Sequence, residues 1–258
     1  MQINEMSRDK VAAALEKAQQ GDAEVNGNIR LLFVPHKITE GNLRQTCDVY
    51  SRLDTSQYNT VVVLEDHHQE LDKKLTMPGK EIFETPFGKV PANESLRDTF
   101  CDEDDDFFIN DEAFHPEMAL FGQLMMLQMV LDDFDVVSIQ IASRGPAIIK
   151  ELVYVLEDVL GGQNALIICA SELPGHRTEQ FDYLRKQVEN RHISSLFNFL
   201  NSGASQIQGT GSFIAGIHVC HLWNLEIHLA GAGEAINTEE NLLSGYGDLR
   251  PTGFFNKF

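Results

Sequence analysis

The chain has 258 residues, 43% of them hydrophobic, which is ordinary for a globular protein and enough for a sizeable α/β core. Its 39 acidic residues against 20 basic give a formal charge of −19, so nucleic acid and anionic membranes are set aside as partners, since either encounter begins with long-range repulsion. Four widely spaced cysteines with no C-x-x-C pair read as reduced thiols, and neither an export signal nor a membrane span is visible, so a cytoplasmic location is expected.

Residues 6–20 set Val11, Ala14, Leu15 and Ala18 at helical spacing, with Ser7 as N-cap and Gly21 as stop, which predicts a helical lead-in within residues 1–26. Short apolar, β-branched runs then recur at 30–34 ("RLLFV"), 60–64 ("TVVVL"), 135–142 ("DVVSIQIA") and 165–170 ("ALIICA"), predicting four buried strands. Amphipathic segments fall at 41–53, 93–101, 116–131 and 145–160, then at 178–202 and 211–223. This alternation predicts one α/β domain over residues 1–258, with a central, mostly parallel sheet and helices on both faces. "LEIHLA" at 225–230 and the ending "GYGDLRPTGFFNKF" are expected to add one or two edge strands, and the acidic "CDEDDDFF" at 101–108 a surface turn.

In open α/β sheets ligands gather outside the carboxyl ends of the strands. Three predicted strands deliver histidine there: the first runs into Pro35-His36, the second into Glu65-Asp66-His67-His68, and the fourth into a loop ending at His176. Imidazoles from separate loops suit a catalytic metal, so His36, His67 and His176 are candidate ligands, with Glu172, Asp66 or Glu117 as a carboxylate partner. The plainer alternative for each histidine is a hydrogen-bonded loop residue. His68 directly follows His67 and in an extended segment would point the other way. His115 precedes Pro116 and a Met/Leu-rich helix read as core; it is either an N-cap or a partner of the site. "GTGSF" at 209–213 is a weak phosphate-loop signal, and His218 and His221 share a helix face without a metal-binding motif.

Five stretches, "PHKIT" (35–39), "LEDHH" (64–68), "ETPFGKVP" (84–91), "DEAFHPEMALFG" (111–122) and "SELPGH" (171–176), resemble in order and spacing the Memo family, which includes AmmeMemoRadiSam system protein B. That family shares its fold with class III extradiol ring-cleaving dioxygenases. The resemblance implies a metal site on His36, His67 and a third position. There the family has cysteine and this chain, in "IQGTGSFIAG" (207–216), has Gln208. It also implies Glu172 and His176 nearby, with His115, His176 and Glu172 as acid/base candidates.

The implied cofactor is a divalent metal, iron first, with zinc or copper as alternatives. The implied activity is a dioxygenase-like oxidation of a small molecule. An amide oxygen is a far poorer ligand than thiolate for these metals. Gln208 therefore keeps a second reading open, a metal-free relative serving as a binding or scaffold module for a protein partner.

Overall fold

The four apolar runs form the centre of the sheet because each carries side chains that must be buried on both faces. The computed structural model describes residues 1–20, 25–69, 71–229 and 241–249. Strands β1 (Ile29–Val34), β2 (Thr60–Asp66), β7 (Asp135–Ile141) and β8 (Ala165–Ala170) lie in the order β7-β2-β8-β1, all parallel. Beyond β7 come β3 (Leu75–Met77), antiparallel to it, and β6 (Phe107–Ile109), parallel to β3. Beyond β1 come β10 (Gly245–Leu249) and β9 (Leu225–Leu229), both antiparallel, completing eight strands. Strands β4 (Ile82–Thr85) and β5 (Gly88–Pro91) make a separate hairpin. The expected edge strands are thus β9 and β10; Gly21 and residues 250–258 lie outside the described residues.

Alternation along each strand sorts the core into two layers. Leu31, Phe33, Val62, Leu64, Ile167 and Cys169 pack beneath α3 (Glu94–Glu103), α5 (Pro146–Leu160), α6 (Thr178–Glu189), α7 (Ile193–Asn201) and α8 (Thr210–Leu222). Leu32, Val34, Val61, Val63, Leu166 and Ile168 pack on the other face, against α1 (Arg8–Gln19), α2 (Leu43–Tyr50), α4 (Ala119–Val130) and the hairpin. The Met/Leu-rich α4 is core, as read from its composition: Met125 and Met126 are fully buried. No described helix is long and apolar enough to cross a membrane.

The expected helix over 178–202 is two helices. Arg191 takes the left-handed conformation (φ 54°), with its N–H on Val188 O and the N–H of His192 on Gln187 O, which closes α6 and turns the chain into α7. Glycine is the usual residue there, and arginine hides the break from sequence reading.

Candidate metal centre

Strand β2 ends on two carboxylates, and alternation sends them to opposite faces. Glu65 continues the Val61/Val63 face and accepts the N–H groups of Ala119 (2.7 Å) and Leu120 (3.3 Å), the first residues of α4. Asp66 continues the Val62/Leu64 face and accepts those of Gly211 (3.0 Å) and Ser212 (2.7 Å) at the start of α8, with Arg144 Nε at 2.9 Å. Neither helix has a capping side chain of its own, since Met118 and Gly209 stand at the two N-caps. Their free N–H groups attract the nearest anions. The acids that the sequence sets beside His67 and His68 are therefore engaged at the two helix ends.

This also replaces the phosphate-loop reading of "GTGSF". The α8 N-terminus already holds an internal carboxylate, and the glycines serve close approach. A Cβ on Gly211 would lie 2.9 Å from Asp66 Oδ1, and one on Gly209 (φ 71°) would lie 2.4 Å from Ala170 O. His218 stacks on Phe197, ring centroids 3.9 Å apart.

Past Asp66 the chain leaves strand geometry. The N–H of His67 still bonds Ile141 O (2.9 Å), but the backbone bends at His68 and Gln69. The alternation expected for His67 and His68 lapses, and their rings stack with centroids 4.5 Å apart. His115 arrives from the loop before α4 and meets both, edge-on to His68 at 4.7 Å and at 6.0 Å from His67. One ring nitrogen from each of the three lies within 4.8 Å of the others. Ligand nitrogens on a tetrahedral ion sit about 3.4 Å apart, given metal–nitrogen bonds of about 2.05 Å. The three nitrogens would have to draw closer around an ion, and imidazole donors are of the kind that binds one. His67 Nδ1 lies 2.8 Å from Gln69 O and 3.1 Å from Gln69 N, contacts that orient the ring.

His36 stands at the edge of this group, its Nδ1 3.9 Å from Glu65 Oε2. Burial lowers the pKa of His36, and the charges of Lys37 and His115 lower it further. Burial likewise lowers that of His115, helped by His68 and His67 and opposed by Glu117. Both shifts favour neutral imidazole, the form that binds metal. Burial pushes the Glu65 carboxyl up to about 7, offset in part by the N–H of Ala119, the Gln140 side chain and the N–H of Leu120.

The other expected residues have contacts of their own. The half-buried Glu172 has its carboxyl raised by burial and accepts the backbone N–H of Lys37. Its own backbone pairs with that of Gln208, N–H to O at 2.8 Å in both directions. Gln208 and His176 are exposed. Sequence reading set His68 aside; the signal was its place after the strand, where alternation no longer holds.

The motif "ETPFGKVP" is the β4–β5 hairpin, and it buttresses the same region. Thr85 Oγ1 donates to Gln128 Oε1 on α4 (2.6 Å), and Phe83 packs 6.0 Å from Phe114, the neighbour of His115.

Together these features define an α/β protein with a three-histidine candidate metal centre at the carboxyl ends of its parallel strands. The chain belongs to the Memo-like protein family, whose profile matches residues 4–220. It is 26% identical over 148 residues to a MEMO1 family protein of Thermotoga neapolitana, covering 54% of this chain and 53% of that one. A second, from Thermotoga petrophila, is 24% identical over 152 residues, covering 55% and 53%. The chain therefore spans about half the length of the curated relatives it matches. A crystal structure of an uncharacterised Escherichia coli K12 protein shares the fold, with a TM-score of 0.54 at 14% identity over 85% of this chain and 98% of that one.

Proposed function

We propose that this protein binds a divalent metal on His67, His68 and His115 and is a non-haem metal oxidoreductase acting on a small molecule. The observation that carries this reading is the convergence of three ring nitrogens within 4.8 Å, two of them on adjacent residues that strand geometry would have separated. Three protein ligands leave positions open on the ion. When bound, such a metal supplies Lewis acidity, and iron or copper also supplies redox chemistry, toward an oxygen-bearing substrate. Family resemblance puts iron first; three imidazoles accept copper or zinc as well.

The chain's own residues would do the rest. His36 borders the cluster with its basicity lowered by burial, which suits a proton acceptor at neutral pH. Glu172, its carboxyl raised by burial and held one residue from His36 through Lys37, is the matching proton donor. His176, exposed on the loop after β8, would have to move inward to take part.

The test is anaerobic loading of protein purified without chelator, followed by elemental analysis and dioxygen uptake. About one iron per chain with oxygen consumption supports the full reading. Metal without oxygen consumption reduces it to metal binding, and no metal of any kind overturns it. Gln208, an amide where the family has a thiolate, favours a second reading, a metal-free binding or scaffold module, and that last outcome would support it.

A further inference from the structure

We propose that Glu65 is the positioning residue of the histidine centre, one carboxylate that registers the three chain segments carrying His36, His67/His68 and His115. This rests on the metal reading above only for its metal-binding readout.

Glu65 touches or adjoins all three segments. It is two residues from His67 along the chain. Its Oε2 lies 3.9 Å from His36 Nδ1. It accepts the N–H groups of Ala119 and Leu120, and a tight turn couples those residues to His115: Met118 N–H bonds His115 O (3.2 Å), and His115 N–H points to Met118 Sδ (3.3 Å). A shift of the first turn of α4 therefore carries the His115 ring with it.

The same helix holds the His36 segment from its next turn. Gln123 Nε2 donates to Pro35 O (2.9 Å) while Gln123 Oε1 accepts from Tyr50 OH (2.7 Å), all of it buried. Ordinary capping would be met at far lower desolvation cost by Ser, Thr, Asp or Asn in the position of Met118. The chain instead uses a strand-end carboxylate that is 1% exposed. A local cap would fix α4 alone; a cap from β2 fixes α4 relative to His67 and His68.

Asp66 supplies a matched control. It too is a strand-end carboxylate, 6% exposed at its side chain, that caps a helix across the sheet, but α8 carries no member of the cluster near its start. Outer contacts to ligating histidines typically change metal affinity about 10- to 100-fold when removed.

The experiment compares wild type, Glu65→Ala, Glu65→Gln and Asp66→Ala by cobalt(II) titration and by the ring 1H–15N resonances of the histidines in metal-free protein. Glu65→Ala should weaken cobalt binding by about 10- to 100-fold, shift the cobalt absorption bands and move the His115 resonances. Glu65→Gln, isosteric and still offering an acceptor oxygen to α4, should recover most of the affinity. It also stands in if the alanine variant does not fold: a partial loss of affinity with moved His115 resonances and an unchanged unfolding midpoint supports the role, and wild-type affinity with unmoved His115 resonances overturns it. Asp66→Ala should lower the unfolding midpoint while moving neither the cobalt spectrum nor His115.

Wild-type affinity and spectrum in Glu65→Ala, or equal effects of Glu65→Ala and Asp66→Ala, would overturn the assignment. If wild type binds no cobalt, the metal reading fails on its own, and the metal-free His115 resonances still decide the positioning role.

Discussion

Glu65 and Asp66 are neighbours in sequence yet end in separate layers of the molecule, each closing a helix that has no cap of its own. The Asp66 carboxylate in turn requires a residue with no side chain at 211, and the close approach of β8 requires a left-handed glycine at 209. Gly209→Ala should cost about 1–3 kcal/mol, because it adds backbone strain and a contact with Ala170 O that only backbone movement relieves. Urea unfolding checks this, and an unchanged midpoint would contradict it. The residues of this corner were all visible in the sequence, but their roles were not. Nothing in "LEDHH" says that its two acids go to two different helix ends until the strand's end at Asp66 is known. The same holds for His68, which joins the cluster because the strand stops one residue before His67.

The four central strands were legible as elements, each a buried run of six or seven residues whose two faces alternate between core layers. Strands β3 and β6, three residues each, and the four-residue arms of the hairpin are too short to show any period. The break between α6 and α7 was hidden because an arginine fills the left-handed position. Arg191→Gly should therefore stabilise the protein by about 1 kcal/mol, the approximate cost of that conformation for an L-residue, seen as a higher unfolding midpoint.

The joint between the first strand and the segment before the second also makes a pH prediction. Tyr58 OH donates to Ile29 O (2.6 Å), and burial, with Asp54 adding and Arg30 opposing, raises its pKa to about 12. The folded state keeps this proton where the unfolded chain, at about 10, has lost it. The stabilisation is therefore whole below pH 10 and is lost between 10 and about 12. Tyr58→Phe should remove the phenolate absorbance step near pH 12.

At the scale of the whole molecule, a charge of −19 works against compaction, and the repulsion is screened over a Debye length of about 10 Å at 0.1 M salt. The unfolding temperature should rise between 10 mM and 0.5 M sodium chloride; a flat response would mean that the acids are already offset locally. Fold class and family were legible in the order of short motifs along the chain, and the family profile over 4–220 agrees. The site was legible in part. His36, His67 and His115 stood out as residues at strand or helix ends, but which imidazoles meet depends on loop bends and on helix caps supplied from another element.

The proposed metal centre is the trio His67, His68 and His115. It is tested most directly by measuring iron(II) and zinc(II) affinity, under nitrogen, for wild type, His115→Ala and Gln208→Ala. About one metal per wild-type chain is expected, with a loss of at least tenfold in affinity for His115→Ala and wild-type binding for Gln208→Ala. Retention by His115→Ala together with loss by Gln208→Ala would contradict it.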